Sequence, residues 1–472
     1  MQKARLVPGP AATSTPLAAA GLSGSAVNAW LTSRPEPSAN FKRDTAAFEK
    51  FWRLAADLRA KLPEKAARTV TETEAAAFIL GSERSAREAF LAAHVEAVYR
   101  KLTNDCSSFV RVERLALDAA DLVPGLVPTA DALRREQRWS LKDKEGLEID
   151  QGIFFAHVLA HENAGRHLLH AMLLPLPETA EHLAYFEKHG TLDLGHAEVS
   201  RIGKAVVVEM RSPRFLNAMD DATLGPIEVA VDVALLDPTS EVAVLRGGFV
   251  EHPKYGGRRI FSSGINLTHL YYGQIAFLFY LRHALGYEHK IFRGLAKPDA
   301  SPEDAGSATL EKPWIATVDT FAIGGGCQHL LVVDYVLAAS DAYLSLPARK
   351  EGIMPGAANL RLARFTGDRI ARQAIMYGRR LDCDTPEGRL VCDEIAPPEK
   401  MDDALKGVIE GLTSSGVVSA VANRRGFRIG QEPLDLFRRY MALYSREQAY
   451  CHFHPTLITN LERHWNAKER KL

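Results

Sequence analysis

Cysteine is scarce in this 472-residue chain: there are five, an odd number. None stands in a C-x-x-C pair, which argues against a disulfide framework and a structural zinc site and suits a reducing compartment. Net charge is lacking too. Lys+Arg 58 balances Asp+Glu 58, so no global field draws nucleic acid or an anionic membrane. Long apolar runs are also missing. No stretch reaches the ~18 uninterrupted apolar residues of a membrane span, and prolines break up the N-terminal MQKARLVPGPAATSTPLAAAG where a secretory segment is apolar. The chain therefore reads as soluble and cytoplasmic, with neither membrane nor nucleic acid as a partner.

What is present is globular in kind. With 46% hydrophobic and 25% charged residues, whole-chain disorder is excluded, and the length allows two or three structural units. Residues 1–42, rich in Ala, Pro, Ser and Gly, are expected to form a flexible tail, too poor in large apolar groups to offset the entropy of ordering it. Residues 43–190 carry helical signals. Phe48, Phe51, Trp52, Leu54, Ala55 and Leu58 recur at the spacing of one buried stripe. Thr71 and Glu74 fit a capping box, and one long helix is predicted over 150–173.

The pattern changes near Leu194. HAEVSRIGKAVVVEM reads as two strands around Ile202-Gly203. A helix over 222–235, the strand VAVLRG, a helix from Leu270 and the strands PWIATVD and VVDYVLAA follow. This alternation predicts an α/β core of repeated βαβ units over 191–400, its sheet largely parallel, with a helical segment over 401–472.

Two glycine-bearing turns are the strongest chemical signal. Phe321-Ala-Ile-Gly324-Gly325-Gly326-Cys327-Gln328 sets three glycines at a strand-to-helix turn, where backbone N–H groups can face a cavity. Taken alone, tight packing explains such a cluster equally well. Phe261-Ser-Ser263-Gly264-Ile265-Asn266-Leu267-Thr268 has the same context about sixty residues earlier. Two such turns can bring two N–H donors onto one oxygen, the requirement for stabilising a thioester enolate.

FSSGINL, GGGCQ and LPARKEGIMPGA, in this order and spacing, resemble the crotonase (enoyl-CoA hydratase/isomerase) superfamily across roughly residues 195–400. The resemblance implies that the Ile265 and Gly325 N–H groups polarise an acyl-CoA thioester carbonyl. Hydratases of that superfamily use two glutamates, at positions that here hold Gln328 and Ala348, so hydration is not expected. Gln328 can still hold a substrate oxygen through its amide. GLEIDQGIFF, GRHLLHAML, LRGGFVEHPKYGGRR and INLTHLYYGQI narrow the likeness. From about residue 45 to the C-terminus they resemble the cofactor-independent dioxygenase branch that acts on (3,5-dihydroxyphenyl)acetyl-CoA in glycopeptide-antibiotic biosynthesis. That implies an arylacetyl-CoA and O2 as substrates, an arylglyoxylate and free CoA as products, no metal or flavin cofactor, and a homotrimer or homohexamer.

The other site candidates follow from this frame. Ile353, Met354, Pro355, Gly356 and Ala357, without an ionisable group, suit an apolar wall for O2, with ordinary loop packing as the alternative. His252, Pro253, Lys254, Tyr255, Arg258 and Arg259 form a cationic run just ahead of the Ser263-Gly264 turn. That adjacency favours CoA phosphate binding over a solvated loop. Asn266, Leu267 and Thr268 flank the turn as further substrate contacts, and Arg446 and Gln448 are weaker candidates for closing over the ligand. By the same resemblance, the family's acidic contact to ring hydroxyls falls at Met219 and its arginine contact at His283. Methionine accepts no strong hydrogen bond and histidine is only partly charged, which implies a less hydroxylated or differently substituted ring.

His157 and His161 stand four apart on a predicted helix, but no H-E-x-x-H is present, so a surface or interface role is expected rather than a metal site. Cys327 is read as a small buried residue, not a nucleophile. No base for a Cα proton is identifiable in the sequence. Two alternatives stay open: a thioesterase or isomerase using the same N–H pair without O2, and a catalytically silent acyl-CoA-binding protein.

Overall fold

Runs of β-branched and small apolar residues build a seven-stranded sheet, observed in a computed structural model that describes residues 14–250, 252–299 and 309–472. In chain order the strands are β1 (Thr191–Asp193), β2 (Ala197–Ile202), β3 (Ala205–Met210), β4 (Val242–Gly247), β5 (Trp314–Val318), β6 (Phe321–Ile323), β7 (Tyr335–Ala339), β8 (Tyr343–Ser345), β9 (Leu381–Asp382) and β10 (Glu394–Ala396). The main sheet runs β1-β2-β3-β4-β5-β7-β10, and a three-stranded sheet runs β6-β8-β9. The hairpin strands β1, β2 and β3 are antiparallel, whereas β3 through β10 of the main sheet pair in parallel. β4 and β5 are buried along their whole length, as strands covered on both faces must be. The helix Asp221–Leu236 crosses from β3 to β4, so the predicted βαβ alternation is borne out.

Several local expectations are corrected. The triple-glycine turn does not follow the main-sheet strand directly. The chain first makes β6, which belongs to the smaller sheet. The helix expected from Leu270 begins at Leu267, because the Asn266 side chain caps it by accepting the His269 N–H at 3.2 Å. The long helix expected over 150–173 is two helices, Ile149–Ala160 and Glu162–Leu173. His161 breaks it with extended backbone angles while its ring accepts the Ala164 N–H. The capping box lies at Thr69 and Glu72, not Thr71 and Glu74, and opens a 33-residue helix, Val70–Leu102.

Residues 14–42 are also not the loose tail expected of their composition, while residues 1–13 of that expectation lie outside the described residues. Two helices, Ser14–Ala19 and Gly24–Thr32, bury Leu17 and Trp30 completely. Trp30 stacks on Phe51 with ring centroids 5.5 Å apart. A few large side chains meeting a preformed apolar surface offset the ordering entropy, which average composition conceals. On the helix Phe41–Arg59 the predicted stripe buries Phe48, Phe51, Trp52, Ala55 and Leu58, while Leu54 at its edge is only partly buried.

The helical region supports the core from the side. The helix Ile149–Ala160 packs along the C-terminal helix Leu434–His452. Just before the former, Glu148 accepts the Phe277 N–H at 2.5 Å. Phe277 is the N-cap of the helix Leu278–Leu285, which forms one wall of the cavity described next.

Candidate active site

The two glycine turns meet because a short parallel pairing sets their register. Ser262 bridges Ala322, with the Ile323 N–H donating to the Ser262 carbonyl at 3.0 Å. Three residues on from each partner stand Ile265 and Gly325, so the two chains reach the same point in step. A β-carbon built on Gly264 would stand 2.8 Å from the Ile323 carbonyl oxygen and 3.4 Å from the Gly325 nitrogen. Gly264 also has a φ of +87°, which L side chains rarely adopt. Both the space and the backbone angle require glycine there.

Ile265 is oriented from its other side. Met219 donates its N–H to the Gly264 carbonyl at 2.7 Å and accepts the Asn266 N–H at 2.7 Å. In a parallel bridge the residue between two bonded neighbours turns its own N–H away from that partner. The Ile265 N–H therefore faces away from Met219. Among the described residues, neither this amide nor that of Gly325 has a hydrogen-bond partner. Two unpaired donors on adjacent turns, Ile265 buried and Gly325 half-buried, are poised for an oxygen that develops negative charge.

Both amides border one cavity. Eight of the residues expected at the site line it: Met219, Ile265, His283, Gly325, Gln328, Met354, Pro355 and Gly356. Ile353 joins the last three, so the IMPG segment is a cavity wall. Gln328 is buried, and its amide oxygen has no partner among the described residues. It lies against Gly356, where a β-carbon would come within 1.8 Å of that oxygen and φ is +46°. Any side chain at Gly356 would displace the Gln328 amide. Cys327 is buried next to Gln328, and burial pushes its thiol up to about 12, the condition of an inert thiol.

The His283 side of the cavity carries an uncharged imidazole. His283 is buried, and desolvation lowers its imidazole to about 3. Its Nε2 meets the Nε2 of His329 at 3.1 Å, and the Tyr287 hydroxyl reaches that His329 nitrogen at 2.9 Å and donates to the Met219 Sδ at 3.0 Å. Among the described residues no charged side chain other than Glu351 lines this cavity.

The remaining expected residues do other work. Arg258 is not an open phosphate ligand: it forms a two-pronged pair with Asp341 at 2.6 and 2.8 Å and donates to the Asp319 carbonyl. Arg259 pairs with Glu209 and covers the Phe249 ring. Adjacent carboxylates absorb both cations, which a linear charge count cannot show. Lys254 stays exposed and outside any ion pair among the described residues, its Nζ 5.1 Å from the Tyr255 ring centre. His252 packs on Tyr255, which meets Phe321 of β6 edge-on, and Pro253 is exposed. Ser263 donates to the Phe215 carbonyl and Asn266 to Asp220, so both hold the turn in place without lining the cavity. Leu267 and the buried Thr268 lie in the following helix, also off the cavity.

Arg446 is corrected too. It pairs with Glu88, which also accepts from His157, and so ties the C-terminal helix to the helical region. Gln448 is fully buried and accepts the Met354 N–H at 2.8 Å, fixing the cavity wall instead of closing over a ligand. His157 and His161 are engaged with Glu88 and as a helix cap. Among the described residues no group of three or more His, Cys, Asp or Glu is arranged to hold a metal ion. No helix there is long and apolar enough to cross a membrane.

The sequence reading missed Phe279, Tyr280, Leu346, Tyr444 and Glu351, all of which line the cavity. For the aromatics only tertiary packing could reveal this. Glu351 did have a signal. It stands three residues after Ala348 in the short helix Ala348–Glu351, and i, i+3 residues share a helix face. Its carboxyl is buried, and desolvation pushes it up to about 7.

Comparison with known proteins agrees with this geometry. The enoyl-CoA hydratase/isomerase family profile matches residues 202–428. The chain is 44% identical over 419 residues to the (3,5-dihydroxyphenyl)acetyl-CoA 1,2-dioxygenase of Amycolatopsis orientalis, covering 89% of this chain and 95% of that protein. It is 25% identical over 230 residues to a crotonyl-CoA hydratase of Syntrophomonas wolfei, covering 48% of this chain and 80% of that one. A crystal structure of an enoyl-CoA hydratase from Mycobacterium avium subsp. paratuberculosis is 19% identical with a TM-score of 0.47, covering 57% of this chain and 98% of its own. With the paired amide turns, the cavity they border and a relative matched over nearly its whole length, the chain belongs to the enoyl-CoA hydratase/isomerase (crotonase) family.

Proposed function

We propose that this protein is a dioxygenase that converts an arylacetyl-CoA, (3,5-dihydroxyphenyl)acetyl-CoA or a close analogue, to the arylglyoxylate and free CoA. The observation that carries the reading is the pair of unpaired amides at Ile265 and Gly325 facing an apolar cavity in which Gln328 and Ala348 replace the two acids of hydration. The likeness to the Amycolatopsis dioxygenase supports it.

The chemistry balances without a cofactor. One arylacetyl-CoA and one O2 become one arylglyoxylic acid and one CoA thiol. Both oxygen atoms enter the product, and the Cα carbon and its two C–H bonds supply the four electrons. Loss of a Cα proton gives an enolate whose charge spreads into the ring and onto the thioester oxygen, where the two N–H groups stabilise it. That electron-rich carbon reduces O2 and forms a Cα–peroxide, which attacks the thioester carbon and expels the CoA thiolate. Loss of the second Cα hydrogen as the O–O bond breaks leaves the oxo acid. Met354, Pro355 and Gly356 supply the dry surface for O2, since water there would protonate the carbanion. Gln328 holds a substrate oxygen through its amide, and His283 with Met219 receives the ring.

On this reading the CoA phosphates lie toward Lys254, whose exposed amine is free to meet them. The same reading carries a cytoplasmic homotrimer or homohexamer, which sedimentation tests. The decisive assay is oxygen uptake with an arylacetyl-CoA in chelator-treated buffer under 18O2. Two labelled atoms in the arylglyoxylate are expected. Release of CoA with no oxygen consumed would make the protein a thioesterase, and tight binding with no turnover an acyl-CoA-binding protein.

A further inference from the structure

Among the described residues, four side chains lining the cavity can exchange a proton: Tyr280, His283, Glu351 and Tyr444. Burial raises both tyrosine hydroxyls well above their usual range, so neither supplies a phenolate near neutral pH. The Tyr280 hydroxyl is moreover engaged with His452 at 3.0 Å. His283 is held neutral by burial and committed to His329, and an imidazole titrating near 3 is too weak a base for a carbon acid. Glu351 differs from all three. Its carboxylate is buried, has no hydrogen-bond or ion-pair partner among the described residues, and shares the cavity with Ile265, Gly325 and Gln328.

Its place in the chain has a physical reason. Ala348 occupies the position after Pro347 and lines the cavity without an acid. One helical turn on, Glu351 presents a carboxylate from the same face. The helix Ala348–Glu351 packs on Pro455–Trp465 and against Ala358–Tyr377, which fixes the backbone that carries it. Desolvation brings the carboxyl up to about 7, where an acid can both take and return a proton at neutral pH.

We propose that the Glu351 carboxylate is the catalytic base that removes the Cα proton of the bound thioester, an assignment that rests on the arylacetyl-CoA reading above. The Cα–H bond breaks heterolytically. The proton passes to a Glu351 oxygen, giving a neutral carboxylic acid. The electron pair passes into the Cα–carbonyl unit and ends on the thioester oxygen between the Ile265 and Gly325 N–H groups. When CoA leaves as thiolate, the carboxylic acid returns the proton to sulfur, and Glu351 is ready for the next cycle. No oxidant takes part in this step.

The test isolates that step from oxygen chemistry. Phenylacetyl-CoA and (3,5-dihydroxyphenyl)acetyl-CoA are incubated anaerobically in D2O, and deuterium at Cα is followed by mass spectrometry. Wild-type protein is expected to exchange the Cα hydrogens. Glu351→Gln is expected to slow exchange by about 100-fold or more, with affinity for a non-hydrolysable arylacetyl-CoA analogue kept within about threefold, which separates loss of the base from loss of the fold. Glu351→Asp, which keeps a carboxylate, should recover part of the exchange. Wild-type exchange rates in Glu351→Gln would overturn the assignment and leave the dioxygenase reading standing. Wild-type exchange that depends on Glu351 but is followed by no oxygen uptake in air would uphold the base and overturn the dioxygenase. A wild-type protein that neither exchanges nor consumes oxygen would overturn both.

Discussion

The Nε2 atoms of His283 and His329 stand 3.1 Å apart inside the protein. Burial lowers both imidazoles, His283 to about 3 and His329 well below its ordinary value, so both rings are neutral at physiological pH. Two neutral nitrogens this close require one to donate and the other to accept. The pair, with Tyr287 and Met219, forms a polar chain beside the cavity, and the other His283 nitrogen, Nδ1, lies 3.4 Å from a carboxylate oxygen of the buried Glu288. Such a surface can accept a single hydrogen bond from a ring substituent but cannot neutralise a phenolate.

Replacing His283 by Phe tests this directly. The substitution removes the one polar group the chain presents to the cavity and leaves His329 with Tyr287. For a ring-hydroxylated arylacetyl-CoA, kcat/KM should fall up to about tenfold, the worth of one neutral hydrogen bond. For phenylacetyl-CoA it should change less. Equal losses on both substrates would mean that His283 does not face the ring.

Gly264→Ala is expected to cost both activity and stability. The new β-carbon meets the Ile323 carbonyl and must occupy a φ of +87°, a strain of about 1–3 kcal/mol. Relieving it pulls the Ile265 amide out of step with Gly325, and kcat should fall about 100-fold, the usual loss with one oxyanion donor. Steady-state kinetics with a parallel urea titration separate the two effects.

The Glu351 carboxyl predicts a sign for stability against pH. Its folded value, about 7, lies above the ordinary 4.5. The protonated group is therefore the one favoured by folding, and its contribution is full below about 4.5 and is lost as pH rises through 7. Tyr280, Tyr444 and His283, the other ionisable groups facing the cavity, are neutral across this window. Glutamine does not titrate, so the melting temperature of Glu351→Gln relative to wild type should climb between pH 5 and pH 8. A flat difference would show that the carboxyl is solvated.

Trp30→Ala tests the ordering of the N-terminal helices. Trp30 is fully buried and stacked on Phe51, and truncation of such a side chain costs about 3–5 kcal/mol. Chemical denaturation should show that loss. A value near zero is the result expected of a loose tail.

The amino-acid sequence by itself determined the class of the core and the two turns. Strand periodicity is a local property, so the βαβ order was legible before folding, while Ile265, Gly325 and Gln328 followed from the resemblance of the two turns to the crotonase motifs, and the IMPG wall stood beside ordinary loop packing as an alternative. Tertiary structure decided what each charge meets. Arg258 and Arg259 looked free because Asp341 and Glu209 lie about eighty and fifty residues away in sequence. Arg446 reaches Glu88 across the chain. Gln448 proved to be a brace for Met354. Glu351 was visible as a letter in LPARKEG, but its chemical character comes from desolvation, which only the folded chain packed around it supplies. Motif and spacing are written along the chain, whereas burial and charge compensation are made by residues distant in sequence, and these choose which groups can react.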